Sequence, residues 1–130
     1  MNRKLLITGS LLGVLGIALG AFAAHGLKEL VSADSIKSFE TAVRYQMYHA
    51  ILLLILGVTD VLSEKSKSAM FYLVIIGLIL FSGSIYALAT NNLSSFDFKS
   101  IGFVTPIGGL FLIGAWSFMM FCFIKYRRNP

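Results

Sequence analysis

Four long apolar stretches, Leu5 to Ala24, Tyr45 to Leu62, Ala69 to Ala89 and Ile101 to Ile124, leave this chain few folds to choose from. A helix rises about 1.5 Å per residue, so roughly 20 mostly apolar residues cross a bilayer core about 30 Å thick. Each stretch is of that order. Hydrophobic residues make up 57% of the 130 and charged residues only 13%, against about 45–50% and 25% in an ordinary soluble domain. That apolar excess has to face something other than water. The expected fold class is therefore all-α: an integral membrane protein with four transmembrane helices in an antiparallel bundle, a single transmembrane domain over residues 1–130. The connections leave no room within these residues for a separate soluble catalytic domain. Any function is expected in the membrane or at its surface.

Charge sets the expected orientation. The formal net charge of +5 would suit nucleic acid, but the eleven Lys and Arg residues sit at helix ends instead of forming one basic face. No nucleic-acid partner is expected. With both termini cytoplasmic, Arg3, Lys4, Lys65, Lys67, Lys125, Arg127 and Arg128 lie inside, and Lys28, Lys37, Arg44 and Lys99 outside. Seven against four is the direction of the positive-inside rule. The acidic Glu29, Asp34, Glu40 and Asp97 also fall outside but carry little topological weight. Cys122, the only cysteine, has no partner for an internal disulfide and reads as a core or lipid-facing residue.

The first stretch imitates a secretory signal peptide, with basic Arg3 and Lys4, an apolar run and small residues at Ala21 and Ala23. Its run of about 20 apolar residues exceeds the usual 7–15 of such a leader. Its glycines have another use. Gly9 with Gly13, and Gly16 with Gly20, form small-xxx-small pairs that let a neighbouring helix approach closely. The first helix is therefore expected to be retained. Gly108 and Gly109 are expected to serve packing in the same way.

Between the first two stretches the chain is too polar to cross a bilayer. Asp34 is an expected N-cap for a helix from Ser35. Ile36, Phe39, Val43 and Met47 then trace one apolar stripe, with Lys37, Glu40, Thr41 and Arg44 on the other side. This short amphipathic segment is expected at the outer interface, running into helix two. Glu40 and Arg44, spaced i,i+4, are a candidate ion pair. Residues 63–68 form a short basic hairpin, residues 91–100 connect helices three and four, and the basic tail anchors at the inner surface.

Four segments, GAFAAHGL (20–27), YQMYH (45–49), FSGSIY (81–86) and TPIGG (105–109), occur in an order and spacing that resembles the bacterial membrane family called domain of unknown function 423. Its eukaryotic relative is transmembrane protein 256. The resemblance spans essentially the whole chain. Ala23 stands where the family pattern favours glycine, a small-for-small difference. The resemblance implies a multi-pass protein of the cell's inner membrane and supplies no activity.

Counting along the expected helices puts all four segments within roughly 12 Å of the outer boundary. This layer is a candidate polar site made of His25, Tyr45, Gln46, His49, Ser82, Ser84 and Thr105, since polar side chains in spans are uncommon and often functional. The competing reading is that these groups tie helices together through bonds of about 0.6 kcal/mol each. Two histidines with Glu29, Glu40 or Asp97 match no compact metal motif, so no metal and no other cofactor is expected. Ser82 and Ser84 lack a nucleophile elbow and a nearby acid, and no enzymatic activity is expected.

Two functional classes stay open. One is a structural or accessory bundle that binds another membrane protein or a second copy of itself within the lipid bilayer. Trp116, counted to mid-membrane, would then pack or face a partner, while Phe118, Phe121, Phe123 and Tyr126 surround helix four as lipid-exposed residues do. The alternative is a small-solute or proton-coupled transporter acting as an oligomer. Its one candidate carboxylate is Asp60, expected at the interface near Lys65 or Lys67.

Overall fold

The computed structural model describes residues 1–126, so Arg127 and Arg128 of the basic tail lie outside the described residues. The element order is α1 (Arg3–Ala24), a 3-10 turn (Leu27–Glu29), α2 (Ala33–Val58), α3 (Glu64–Leu78), a π-helical turn (Ile79–Gly83), α4 (Ser84–Ala89), 3-10 turns at Asn91–Leu93 and Phe98–Ile101, and α5 (Val104–Lys125). The π turn joins α3 and α4 into one rod, Glu64–Ala89. Four helices are thus long and apolar enough to cross a membrane: Arg3–Glu29, Ala33–Val58, Glu64–Ala89 and Phe98–Lys125. The fold is all-α and no strand occurs among the described residues.

Short polar side chains start α1, α2 and α3. Asn2 Oδ1 accepts from Leu5 N at 3.1 Å, Ser32 Oγ from Ser35 N at 3.2 Å and Ser63 Oγ from Ser66 N at 3.1 Å. Each bond satisfies one amide that the first turn leaves without a partner. The expected N-cap, Asp34, instead lies inside the first turn of α2, where its charge suits the positive end of the helix. The amphipathic segment and the second span are one helix. Its stripe behaves as the spacing predicts, with Phe39 buried and Lys37, Glu40 and Arg44 exposed. Pro106 sits in the first turn of α5, where a missing N–H loses no helical bond.

Contacts step upward along one helix while they step downward along its neighbour. Asn2 N donates to Gly57 O at 2.7 Å, Gly9 lies against Ala50 and Leu54, and Gly20 lies beside Val43. On the other side of the molecule, Cys122 meets Ser66, Leu112 meets Gly77 and Thr105 meets Ser84. One end of the molecule, the terminal end, therefore holds Asn2, Gly57, Glu64 and Lys125. The other, the loop end, holds the connections after Ala24 and Ala89. Apolar packing forms two clusters, one from the terminal end to mid-molecule and one at the loop end. Leu5, Leu53, Leu56, Met70, Val74 and Ala115 belong to one cluster, and Ala23, Leu27, Phe39 and Ala89 to the second.

The helix-packing glycines divide in a way the spacing pairs do not anticipate. A Cβ at Gly9 would meet the Ala50 carbonyl at 2.8 Å, and one at Gly16 would press on Met47, whereas one at Gly13 would meet nothing within 4 Å and one at Gly20 only ordinary contact. Gly9, Gly16 and Ala23 are the buried small residues. Seven residues make nearly two whole turns, so this spacing keeps one face toward α2, while residues four apart drift off it. Gly108 abuts the backbone of Leu80 and Phe81, and Gly109 faces open space.

Candidate functional site

The polar groups between the two apolar clusters bond across helices. Gln46, on α2, donates through Nε2 to the Leu12 carbonyl of α1 at 2.9 Å and accepts through Oε1 from the Tyr86 hydroxyl of α4 at 2.7 Å. One amide therefore joins three helices. Ser82 donates to the Ala42 carbonyl at 2.9 Å, and Ser84 shares a short hydrogen bond with Thr105 of α5. Residues two apart on a helix point to nearly opposite sides, so one serine serves α2 and the other α5.

His49 makes the deepest connection. Its Nε2 lies 3.0 Å from Trp116 Nε1, and its Nδ1 lies 2.6 Å from the Tyr45 carbonyl one turn back. The indole nitrogen only donates, so Nε2 must accept, and the imidazole proton must sit on Nδ1 to serve the carbonyl. The two contacts select one neutral tautomer. The indole is 46% exposed while His49 is buried, so Trp116 turns its N–H inward and part of its ring to the surroundings.

These groups form a column and not a single layer. Because α2 begins at Ala33, twelve residues before Tyr45, His49 lies about 24 Å along the helix from its start and about 13 Å from its end. Ser84 and Thr105 lie nearest the loop end; the His49–Trp116 pair lies deepest. His25 is not part of the column. It caps α1 at the loop end and is exposed, and with Gly20 level with Val43 the two histidines stand about 16 Å apart in depth. Tyr45 contributes its carbonyl, and its ring meets Phe81 edge-on at 5.0 Å between centroids.

The candidate ion pair does not form. Arg44 donates to Thr41 Oγ1 at 2.9 Å, and among the described residues the one ion pair is Lys67 with Glu64 at 3.4 Å. Glu40 and Arg44 are both exposed, where such a pair gains little over hydration and the hydroxyl one turn away takes the guanidinium. Asp60 is exposed in the turn between α2 and α3 and holds neither Lys65 nor Lys67 in an ion pair. Among the described residues no three His, Cys, Asp or Glu side chains gather where they could hold a metal ion.

Comparison with known proteins places the chain. Residues 19–109 match the family model described as protein of unknown function DUF423. The chain belongs to this family. It is similar to UPF0382 membrane proteins from three bacteria. One from Staphylococcus haemolyticus is 35% identical over 124 residues, covering 95% of this chain and 98% of the relative. One from Haemophilus influenzae is 40% identical over 115 residues, covering 88% and 89%. The UPF0382 inner membrane protein of Escherichia coli is 33% identical over 132 residues, covering 98% and 95%. No solved structure matches the chain. The chain is thus a multi-pass membrane protein of a family without a named biochemical activity. The DUF423 match includes Gln46, His49, Ser82, Ser84, Tyr86 and Thr105 and ends before Trp116.

Sequence reasoning missed two members of the site, and a buried charge at the terminal end. Tyr86 lay inside a recognised segment, but its partner on another helix is not visible in local spacing. Nothing near Trp116 in the sequence marks it as a histidine's donor, since His49 is on another helix. Lys67, counted as a headgroup-level charge, is 1% exposed. Its signal was present, since Lys67, Met70, Val74 and Leu78 recur at three and four residues along one buried face of α3.

Proposed function

We propose that this protein is a structural or accessory helical bundle of the bacterial inner membrane, with both termini cytoplasmic, alternating helix directions and no catalytic activity of its own. One observation carries the reading: among the described residues, no buried side-chain nitrogen or oxygen lacks a hydrogen-bond partner. A site awaiting a polar solute or a proton keeps some of that capacity in reserve, whereas groups that tie helices use it on one another. The exposed apolar faces, Ile7, Leu11, Val14 and Ile17 on α1 and Leu110, Ile113 and Met120 on α5, then meet lipid, a membrane-protein partner or a second copy. The positive-inside count supports the orientation. Proton-coupled transport is the weaker reading, because it needs a carboxylate within the spans and Asp60 lies in a turn.

Melting in detergent tests this. His25→Ala should melt with the native chain, and His49→Ala and Trp116→Phe should each melt lower. In a double-mutant cycle the latter two should couple by about 0.6–1.5 kcal/mol, the size of an intramembrane hydrogen bond. No water-soluble solute or divalent metal should raise the native midpoint. A stabilising solute whose effect vanishes in His49→Ala would make the column a binding site and end the structural reading.

A further inference from the structure

A crevice of about 420 Å3 opens beside the His49–Trp116 pair, between α2, the π turn and α5. That volume lies within the roughly 300–1,000 Å3 of small-molecule sites. Tyr45, His49, Phe81, Ile113, Trp116 and Ser117 line it, and Tyr45, Ile113 and Trp116 are exposed at its rim.

Three features restrict what could enter. The first is depth. Trp116 lies twelve residues into α5 and nine from its end, about 18 Å and 13 Å along the axis, so the mouth is remote from both ends of the helix. In a membrane, a molecule arriving there comes from the hydrocarbon. The second is charge. No lining residue is Lys, Arg, Asp or Glu, and an ion would be buried without a counter-charge, so the occupant is neutral. The third is shape and donor supply. Aromatic rings of Tyr45, Phe81 and Trp116 form much of the wall, which favours a flat ring offset against them. His49 and Trp116 spend their N–H groups on each other and on the Tyr45 carbonyl. The Tyr45 hydroxyl, on a side chain 39% exposed, makes no hydrogen bond among the described residues and can donate to a carbonyl oxygen.

We infer that this crevice binds a neutral, lipid-soluble ring compound that accepts a hydrogen bond from Tyr45 through a ring carbonyl, a quinone by chemical class. This goes beyond the structural reading, which concerns bonds inside the bundle and leaves the crevice without a role.

The chain holds a single tryptophan, and it stands at the crevice, so its fluorescence reports the site directly. The full chain in phosphatidylcholine nanodiscs is titrated with a quinone carrying one isoprene unit. Two variants accompany the native protein. Gly109 lines the crevice, and a Cβ there meets nothing within 4 Å, so the side chain of Gly109→Leu starts from open space and occupies the crevice. Tyr45→Phe removes one exposed hydroxyl and keeps the ring. The expected result is saturable quenching in the native chain, a midpoint about five- to tenfold weaker in Tyr45→Phe, the worth of one neutral hydrogen bond, and only linear quenching in Gly109→Leu. Linear quenching in the native chain would show a quinone merely dissolved in the bilayer and overturn the inference. A saturable response unchanged in both variants would place the site elsewhere and overturn it equally.

Discussion

Lys67 is almost fully buried, yet the carboxylate that faces it belongs to Glu64, whose side chain is 70% exposed. The cation carries nearly all of the desolvation and its partner almost none. Glu64 is held in turn by Asn2, whose Nδ2 donates to its second oxygen at 2.8 Å, while Asn2 also caps α1 and donates its own N–H to Gly57. Three helix ends meet in this knot. Removing one member of a buried pair is worse than replacing the buried charge with an apolar group of similar volume. Lys67→Met should therefore melt at or above the native chain, Glu64→Gln below it, and Lys67→Ala lowest, because truncation adds a cavity worth about 2 kcal/mol or more. Detergent melting curves of the three variants decide it, and a Lys67→Met midpoint beneath that of Glu64→Gln would refute the account.

At the scale of elements, the widened turn Ile79–Gly83 is where α5 comes nearest. A Cβ at Gly108 would be driven into the backbone of Leu80 and Phe81, and backbone cannot swing aside as a side-chain tip can. Gly108→Ala should thus destabilise by about 1–3 kcal/mol, the usual range for overpacking. The neighbouring Gly109→Ala, which meets open space, should shift the midpoint hardly at all. Equal shifts for the two would mean that the close approach at the π turn is not a constraint on the fold. The same element shows where sequence stops being informative. Apolar length reveals four long helices because crossing a bilayer needs so many residues, and the period of Ile36, Phe39 and Val43 reveals the buried face of α2. A π turn leaves no such signature here, since residues 69–89 are apolar nearly all round and the turn of face caused by one extra residue does not show. The start of α2 was likewise hidden, because Ser32 and Asp34 are both good caps and only the geometry of Ser35 N chooses between them. Of the polar residues singled out, those on α2, the π turn, α4 and α5 do come together, but the depth of each depended on that boundary. His25 was drawn in by its segment and left out by its position at the end of α1.

The whole molecule is two helical halves with a belt of polar bonds between them. α1 lies mainly along α2 and also bonds the rod at the terminal end, through Asn2 to Glu64 and Lys4 to Tyr72, and α5 lies along the rod made by α3, the π turn and α4. The halves meet chiefly through α2, which shares one apolar cluster with α3 and α5 toward the terminal end and another with α4 near the loop end, with Leu5 and Ala23 of α1 joining each. Gln46 to Tyr86 and Ser82 to the Ala42 carbonyl cross between those clusters, and Trp116 to His49 crosses beside the first of them. Lipid tails are as apolar as the helices, so burial alone gives little drive to bring the halves together, and three bonds of about 0.6 kcal/mol each, near 2 kcal/mol in all, contribute alongside the bonds of Asn2 and Lys4 at the terminal end. Gln46→Met with Ser82→Ala removes two of them with little change in volume. In the native chain, loss of Trp116 fluorescence from the α5 half and loss of hydrogen-exchange protection in α1 should follow one denaturation curve. In the double variant they should separate, with α1 and α2 parting from the α3–α5 half at lower denaturant while each half keeps its helical signal. Coincident curves with an unmoved midpoint would mean that apolar packing holds the halves together unaided and that the polar belt does not serve to join them.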